Sequence, residues 1–385
     1  MLIVMKPQAT KEDVRRVRGA WRCALAGLML TALSAASCAR QASPPKPYAA
    51  FVVDSRVNSL VAVDMGNLKV AATVPVAPGS ERVLARPRSH ELYVVSSAGR
   101  LSIVRFPELR IARILRVGES AGDLAFSPDG QWAYVLEPAH GKVVFIDCAA
   151  MEEAGRVPLN TPLSSLSLTP DGKVLVAAAP DQGRVIFVDA GSRKTLGSAE
   201  VGKSPGPMAI LPDNSKVFVA DREADQVSAV DIASRQVLAN LETGSRPSSL
   251  LLKPDGGELF VLSGADSTLT FVDAFHNNVS QTMTTGREPA AATIRRDSSV
   301  LYIATAGDGS VSALDVESRL PAAAVHVGTE PRALALTPDE RFLAVADSAA
   351  GALAILRTDR NTLVTAIPVG ARPVDVIVPG WLWEK

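Results

Sequence analysis

Five aspartates return at one fixed step: Asp147, Asp189, Asp231, Asp273 and Asp315, each 42 residues after the last. A ring of carboxylates is the kind of set that holds a divalent cation or moves protons. The setting argues against both uses. Each acid closes an apolar run and precedes a turn, where a carboxylate accepts backbone N–H groups. A feature repeated in every unit marks architecture, whereas a site needs residues that differ between units. His90, His140, His276 and His326 are far apart and fall at turns or strand ends, with no two at ligand spacing. No metal site is expected from them. The chain also has no G-x-S-x-G elbow, phosphate loop or Cys/His dyad, so no catalytic residue is assigned. Cys148, after "VVFID", reads as a small apolar core residue.

The elements that must position any site are written in the same step. Turn tetrads recur as "SPDG" 127–130, "TPDG" 169–172, "LPDN" 211–214, "KPDG" 253–256, "RRDS" 295–298 and "TPDE" 337–340. A second set of turn glycines, Gly118, Gly202, Gly244, Gly286, Gly328 and Gly370, keeps the period, with Asn160 in the missing slot. Asn is the best non-glycine residue for a left-handed backbone, so the slot is expected to require one. Each period holds four short runs rich in Val, Ile, Leu, Tyr and Phe, cut by Gly, Pro and Asp turns. Such runs are antiparallel strands, and four strands per ~40 residues is the pattern of propeller blades.

The fold expected is therefore all-β, a β-propeller of four-stranded blades over residues 49–380. Strands of the "FVVD/LYVV" type begin near residues 50, 91, 133, 175, 217, 258, 300 and 342, and strands of the "AFSPDG" type end near 87, 128, 170, 212, 254, 296, 338 and 379. Both series count eight. The chain opens on the second strand of a blade and closes on the first strand of the same blade, giving eight blades with one strand from the C-terminal part and three from the N-terminal part. Seven blades is the alternative, the first unit being the most degenerate. The motifs "LYVVSS" (92–97), "VFVADREADQVSAVD" (217–231), "LYIATAGDGSVSALD" (301–315) and "VTAIPVGARP" (364–373) resemble the YVTN family of β-propeller repeats over about residues 49–379. That resemblance implies the fold; propellers of this kind serve many roles.

Residues 1–37 read as a signal peptide of the lipoprotein type. A basic stretch ending at Arg22 precedes the apolar core "CALAGLMLTALSA", too short for a membrane span, and "LSAASC" ends on Cys38. Cys38 is the expected lipidation site, with Ala35 where the lipobox prefers Leu, and residues 38–48 are a proline-containing tether. The expected location is the bacterial envelope, lipid-anchored on the outer membrane or its periplasmic face; the alternative is a secreted or soluble periplasmic protein. Residues 1–37 hold six Lys/Arg and two acids, which leaves 34 basic against 38 acidic residues in the remainder. A mildly acidic body without a basic run argues against nucleic acid. The tail "WLWEK", 381–385, is expected to fold under the ring as an apolar plug.

A site can be sought by comparing blades. Five positions after the turn glycine, the residues opening the innermost strands are Arg82, Asp123, Ser165, Pro207, Ser249, Ala291, Ala333 and Asp375. The three charged ones, Asp375, Arg82 and Asp123, belong to consecutive blades and should meet at one mouth of the channel. They read as an ion-paired clasp across the closure seam, or as a binding patch extended by Arg246, Arg287, Arg332 and Arg372, whose paired N–H donors suit an anionic ligand. The function expected is a non-enzymatic binding or scaffold propeller, monomeric and without cofactor, for a protein partner or a small anionic ligand. The alternative is a cofactor- or substrate-binding enzyme of the haem d1, quinoprotein or lactonase type.

Overall fold

The computed structural model describes residues 47–382; the leader, Cys38, most of the tether and residues 383–385 lie outside them. The described residues form eight four-stranded antiparallel sheets arranged as a β-propeller. Blade 1 joins Pro373–Ile377, innermost, to Ala49–Asp54, Ser59–Asp64 and Lys69–Pro75. Blade 2 runs outward as Ser80–Ala85, Glu91–Ser96, Arg100–Arg105 and Arg110–Arg116. The innermost strands of blades 3 to 8 are Leu124–Phe126, Ser165–Leu168, Pro205–Ile210, Pro247–Leu252, Pro289–Ile294 and Pro331–Leu336. The ring therefore closes with one strand from late in the chain and three from early in it, which leaves no blade an unpaired innermost edge toward a missing neighbour.

The two middle strands of a blade are largely apolar because they are buried on both faces. The second strand of blade 1, Ala49–Asp54, is buried at every position, whereas the outermost strand, Lys69–Pro75, is mostly exposed. Eight apolar clusters fill the eight gaps between neighbouring blades, for instance Val176 and Phe187 of blade 4 against Val217 and Val219 of blade 5. Cys148 is one such core residue, buried between blades 2 and 3. Around the channel each innermost strand packs on the next, most loosely between blades 2 and 3.

The recurrent aspartates are turn acceptors. Asp147 accepts the N–H groups of Ala149 and Ala150, and Asp315 accepts the N–H and hydroxyl of Ser318 at 2.8 and 2.7 Å. Hydrogen bonds of this kind lower the carboxyl groups of Asp189, Asp231, Asp273 and Asp315 from the usual carboxylate value.

One expectation is narrowed and another changes. The apolar plug expected of the tail sits at one seam: Trp381 is wedged between blades 1 and 2, stacked on Phe106 at 5.6 Å and edge-on to Phe51 at 6.0 Å, while Leu382 bridges to Tyr48. An aromatic wedge follows because a large apolar surface was available in that gap, next to the strand it continues. The change concerns the turn glycines. Gly118, Gly202, Gly244, Gly286 and Gly328 do not have a left-handed backbone, although Asn160 does, at φ +57°. Each glycine instead faces a side chain at the end of a second strand or in the turn after it. A Cβ on Gly328 would lie 1.6 Å from Asp347 Oδ2, and one on Gly118 2.2 Å from Glu137 Oε1. At Asn160 the corresponding second strand ends in Ala179, and a side chain fits.

Candidate functional site

Because strands alternate in direction, all eight innermost strands begin on one face of the ring. That first face also carries the turns that follow each second strand. Asp375, Arg82 and Asp123 open the innermost strands of blades 1, 2 and 3 in one register: Asp375 opposes Val53 and Arg82 opposes Val95. The two aspartates do equivalent work. Asp375 Oδ2 accepts the Val83 N–H at 2.9 Å, and Asp123 Oδ2 accepts the Leu166 N–H at 3.0 Å, each tying its blade to the next. Arg82 forms an ion pair with Asp123 through Oδ1. Asp375 is only partly solvent-exposed and walled by protein; burial pushes its carboxyl above the usual range, against the Val83 N–H and the Arg82 charge. The three residues thus converge, with Arg82 bonded on one side and acting at longer range on the other.

Arg246, Arg287 and Arg372, in the turns before innermost strands, and Arg332, near the start of one, are exposed on the same face. Arg287 is engaged by Asp308 at 2.8 Å and donates to the Gly307 carbonyl, and Arg332 pairs with Glu330. Arg246 and Arg372 use their backbone N–H groups, to Asp225 and Asp54, and have no side-chain ion pair among the described residues.

A polar cavity of about 310 Å³ opens beside the Arg82–Asp123 pair, over the innermost strands of blades 3 to 5. Its wall includes Ser164, Ser165 and Ser167 of blade 4, Met208 of blade 5, and Arg222. None of the four rim arginines lines it, nor does Asp375. Arg222 follows the second strand of blade 5, and its side chain has no hydrogen-bond or ion-pair partner among the described residues. It lies against the backbone of Gly206, where a Cβ would stand 2.8 Å from its Nε. Gly206 is what lets a guanidinium reach over the strand. Sequence reasoning passed over Arg222, yet a signal existed. The equivalent positions hold Ser55, Ser97, Pro138, Pro180, Gly264, Ala306 and Ser348, so Arg222 is the one charged residue of its series.

The cavity has the volume of roughly ten water molecules, enough for a small ligand. It presents two guanidinium groups, one of them unpaired, and a row of hydroxyls. Its carboxylate, Asp123, has both oxygens engaged. Among the described residues no three His, Cys, Asp or Glu side chains gather as a metal set.

Among solved structures, "Dihydro-heme d1 dehydrogenase NirN in complex with DHE" is similar at 15% identity, covering 88% of this chain and 77% of that one, with a TM-score of 0.78. A functionally unknown protein from Desulfotomaculum acetoxidans is similar at 13% identity, covering 86% and 98%, with a TM-score of 0.59. Kuenenia stuttgartiensis hydrazine synthase follows at 18% identity, covering 67% and 89%, with a TM-score of 0.53. At such identities these likenesses speak for the propeller fold alone. No curated protein matches the chain in sequence. The family model "Lactonase, 7-bladed beta-propeller" matches residues 124–367, from the innermost strand of blade 3 to the outermost strand of blade 8. With more than half of its length in that match, the chain belongs to the lactonase β-propeller family, here built with eight blades.

Proposed function

We propose that the protein is an envelope-anchored binding propeller whose first-face cavity takes a small anionic ligand bearing hydroxyl groups, without turning it over. The observation that carries this reading is Arg222, an unpaired guanidinium laid over Gly206 at the wall of a polar cavity that also holds Arg82. A carboxylate or phosphate between two guanidinium groups gains paired, charge-assisted hydrogen bonds, and Ser165 and Ser167 offer hydroxyls for the rest of the ligand, the Ser164 hydroxyl being donated to the Pro205 carbonyl at 2.7 Å. Catalysis is disfavoured because the cavity's acid is committed. Asp123 binds Arg82 with one oxygen and the Leu166 N–H with the other, so a general base would first have to break the clasp. The anchor half of the proposal rests on the leader and on Cys38, which lie outside the described residues.

Lactone hydrolysis is the second reading, favoured by the family match. A haem group fits less well. No histidine lines this cavity, and about 310 Å³ is small for a tetrapyrrole. Calorimetry with sugar acids, alongside a pH-stat assay of their lactones, separates the first two readings. Binding without turnover, weakened about tenfold or more by Arg222→Ala, is expected. Lactone turnover above the spontaneous rate would replace the binding reading with the enzymatic one, and binding unchanged in Arg222→Ala would remove the cavity from either.

A further inference from the structure

Charge is distributed unevenly among the blades. Blade 2, residues 80–116, holds eight arginines and three glutamates, with no lysine or aspartate. The rest of the described chain holds 23 basic and 34 acidic residues. The excess is concentrated at the outer hairpin of the blade. There Arg105 stands directly opposite Arg110, and Arg100 directly opposite Arg116. Like charges facing each other across a strand pair destabilise it. Arg105 is partly compensated by Glu91 at 3.4 Å and Arg113 by Glu152 at 3.4 Å. Arg100, Arg110 and Arg116 are exposed and have no acidic partner among the described residues.

Protection of a sheet edge does not account for this. Charges commonly guard edges against pairing, but the other outermost strands, such as "TLGSAE", "VLANLE" and "NVSQTMT", hold at most one basic residue each. The arginine hairpin also precedes the segment that matches the family, which begins at Leu124. It lies outside the matched segment, and it costs stability unless an external anion neutralises it.

We propose that the outer edge of blade 2 is a docking surface for an anionic lipid bilayer. Charge complementarity selects a polyanionic partner, and the course of the chain favours a membrane over other polyanions. The described chain starts at Pro47 and enters blade 1, the immediate neighbour of blade 2. From Cys38 to Pro47 a fully extended chain reaches about 30 Å, so a lipid on Cys38 would hold the propeller close to the headgroups with this blade beside the attachment. That orientation rests on the anchor reading; the arginine edge does not.

The test uses the full chain with Cys38→Ser, which removes any contribution of a lipid, and measures flotation with vesicles. Vesicles of phosphatidylcholine containing phosphatidylglycerol should bind it in a salt-sensitive way, and phosphatidylcholine alone should not. At about 1 kcal/mol for each arginine near an anionic surface, the combined variant Arg100→Gln, Arg110→Gln, Arg116→Gln should lose about a hundredfold in affinity. Its melting temperature should not fall, since the opposed Arg–Arg pairs are gone. Equal binding to both vesicle types, undiminished binding by the triple variant, or tighter binding to duplex DNA than to the anionic vesicles would overturn the proposal. Failure of Cys38→Ser to leave the membrane of cells even after a high-salt wash would remove the anchor and leave this result standing.

Discussion

Replacing Gly328 with alanine tests the account of the turn glycines most directly, because this glycine has no left-handed backbone to confuse the result. The added methyl would sit 1.6 Å from Asp347 Oδ2 and 2.8 Å from its Cγ. Asp347 is fully buried and accepts the N–H groups of Thr329 at 2.5 Å, Glu330 at 3.0 Å and Ala350 at 2.9 Å. To make room, the carboxylate must swing away from Thr329 and Glu330. Two charge-assisted hydrogen bonds at about 1.5–3 kcal/mol each give a loss of about 3–6 kcal/mol. For a ring of this size, with about 2 cal/mol/K of unfolding entropy per residue, that is a fall of about 4–9 °C in Tm. Scanning calorimetry reads it. The decisive arm is the double variant Gly328→Ala, Asp347→Ala, which copies the natural pair Asn160 and Ala179. It should be no less stable than Asp347→Ala alone, so the two changes couple strongly. An unaltered Tm for Gly328→Ala, or simple additivity in the double variant, would refute the reasoning.

Two further outcomes follow from features of the seam and the leader. Burial raises the Asp375 carboxyl above its unfolded value, so its stabilising contribution is full below the unfolded value near 4 and is lost as pH rises through the folded one. Wild type should therefore gain stability relative to Asp375→Asn as pH falls from neutral toward 4, and a difference independent of pH in denaturant titrations would contradict this. Cys38→Ser should move the protein from the membrane fraction into the soluble periplasmic fraction once membranes are washed in high salt, which strips protein held by charge alone, as fractionation and immunoblotting would show; retention after that wash would count against lipidation.

The ring was legible because its signals are local and repeated. "PDG" turns and strand-closing aspartates act within four or five residues, so their period survives in the sequence, and the two strand series of eight carry the closure. At the fourth position of those turns the left-handed backbone does appear, at Gly130, Gly172 and Gly256 and even at Asn214, Ser298 and Glu340. Asn160 was read by the same rule, but its neighbours in the series are glycines for steric reasons that involve a residue 18 or 19 positions later. The site was less legible for the same kind of reason. Asp375, Arg82 and Asp123 could be brought together by register alone. Whether a rim arginine is free depends on acids such as Asp308 and Glu330 in adjoining turns, and Arg222 matters only because Gly206, on the neighbouring strand, leaves space beneath it.

The closing strand has a consequence for how the chain becomes a ring. Pro373–Ile377 pairs with Ala49–Asp54, so the contact that completes blade 1 joins segments more than 300 residues apart and waits for the last strand to be made. The entropy of closing such a loop grows only logarithmically, to about 5 kcal/mol, which the seam can repay through Asp54 and the apolar gaps on either side. The delay matters more than the cost. Until it closes, the second strand of blade 1 shows an open, wholly apolar edge, "AAFVV", to anything nearby. Folding of the ring would therefore be timed by the completion of its C-terminal part, with the first strand kept from strange partners for the whole interval.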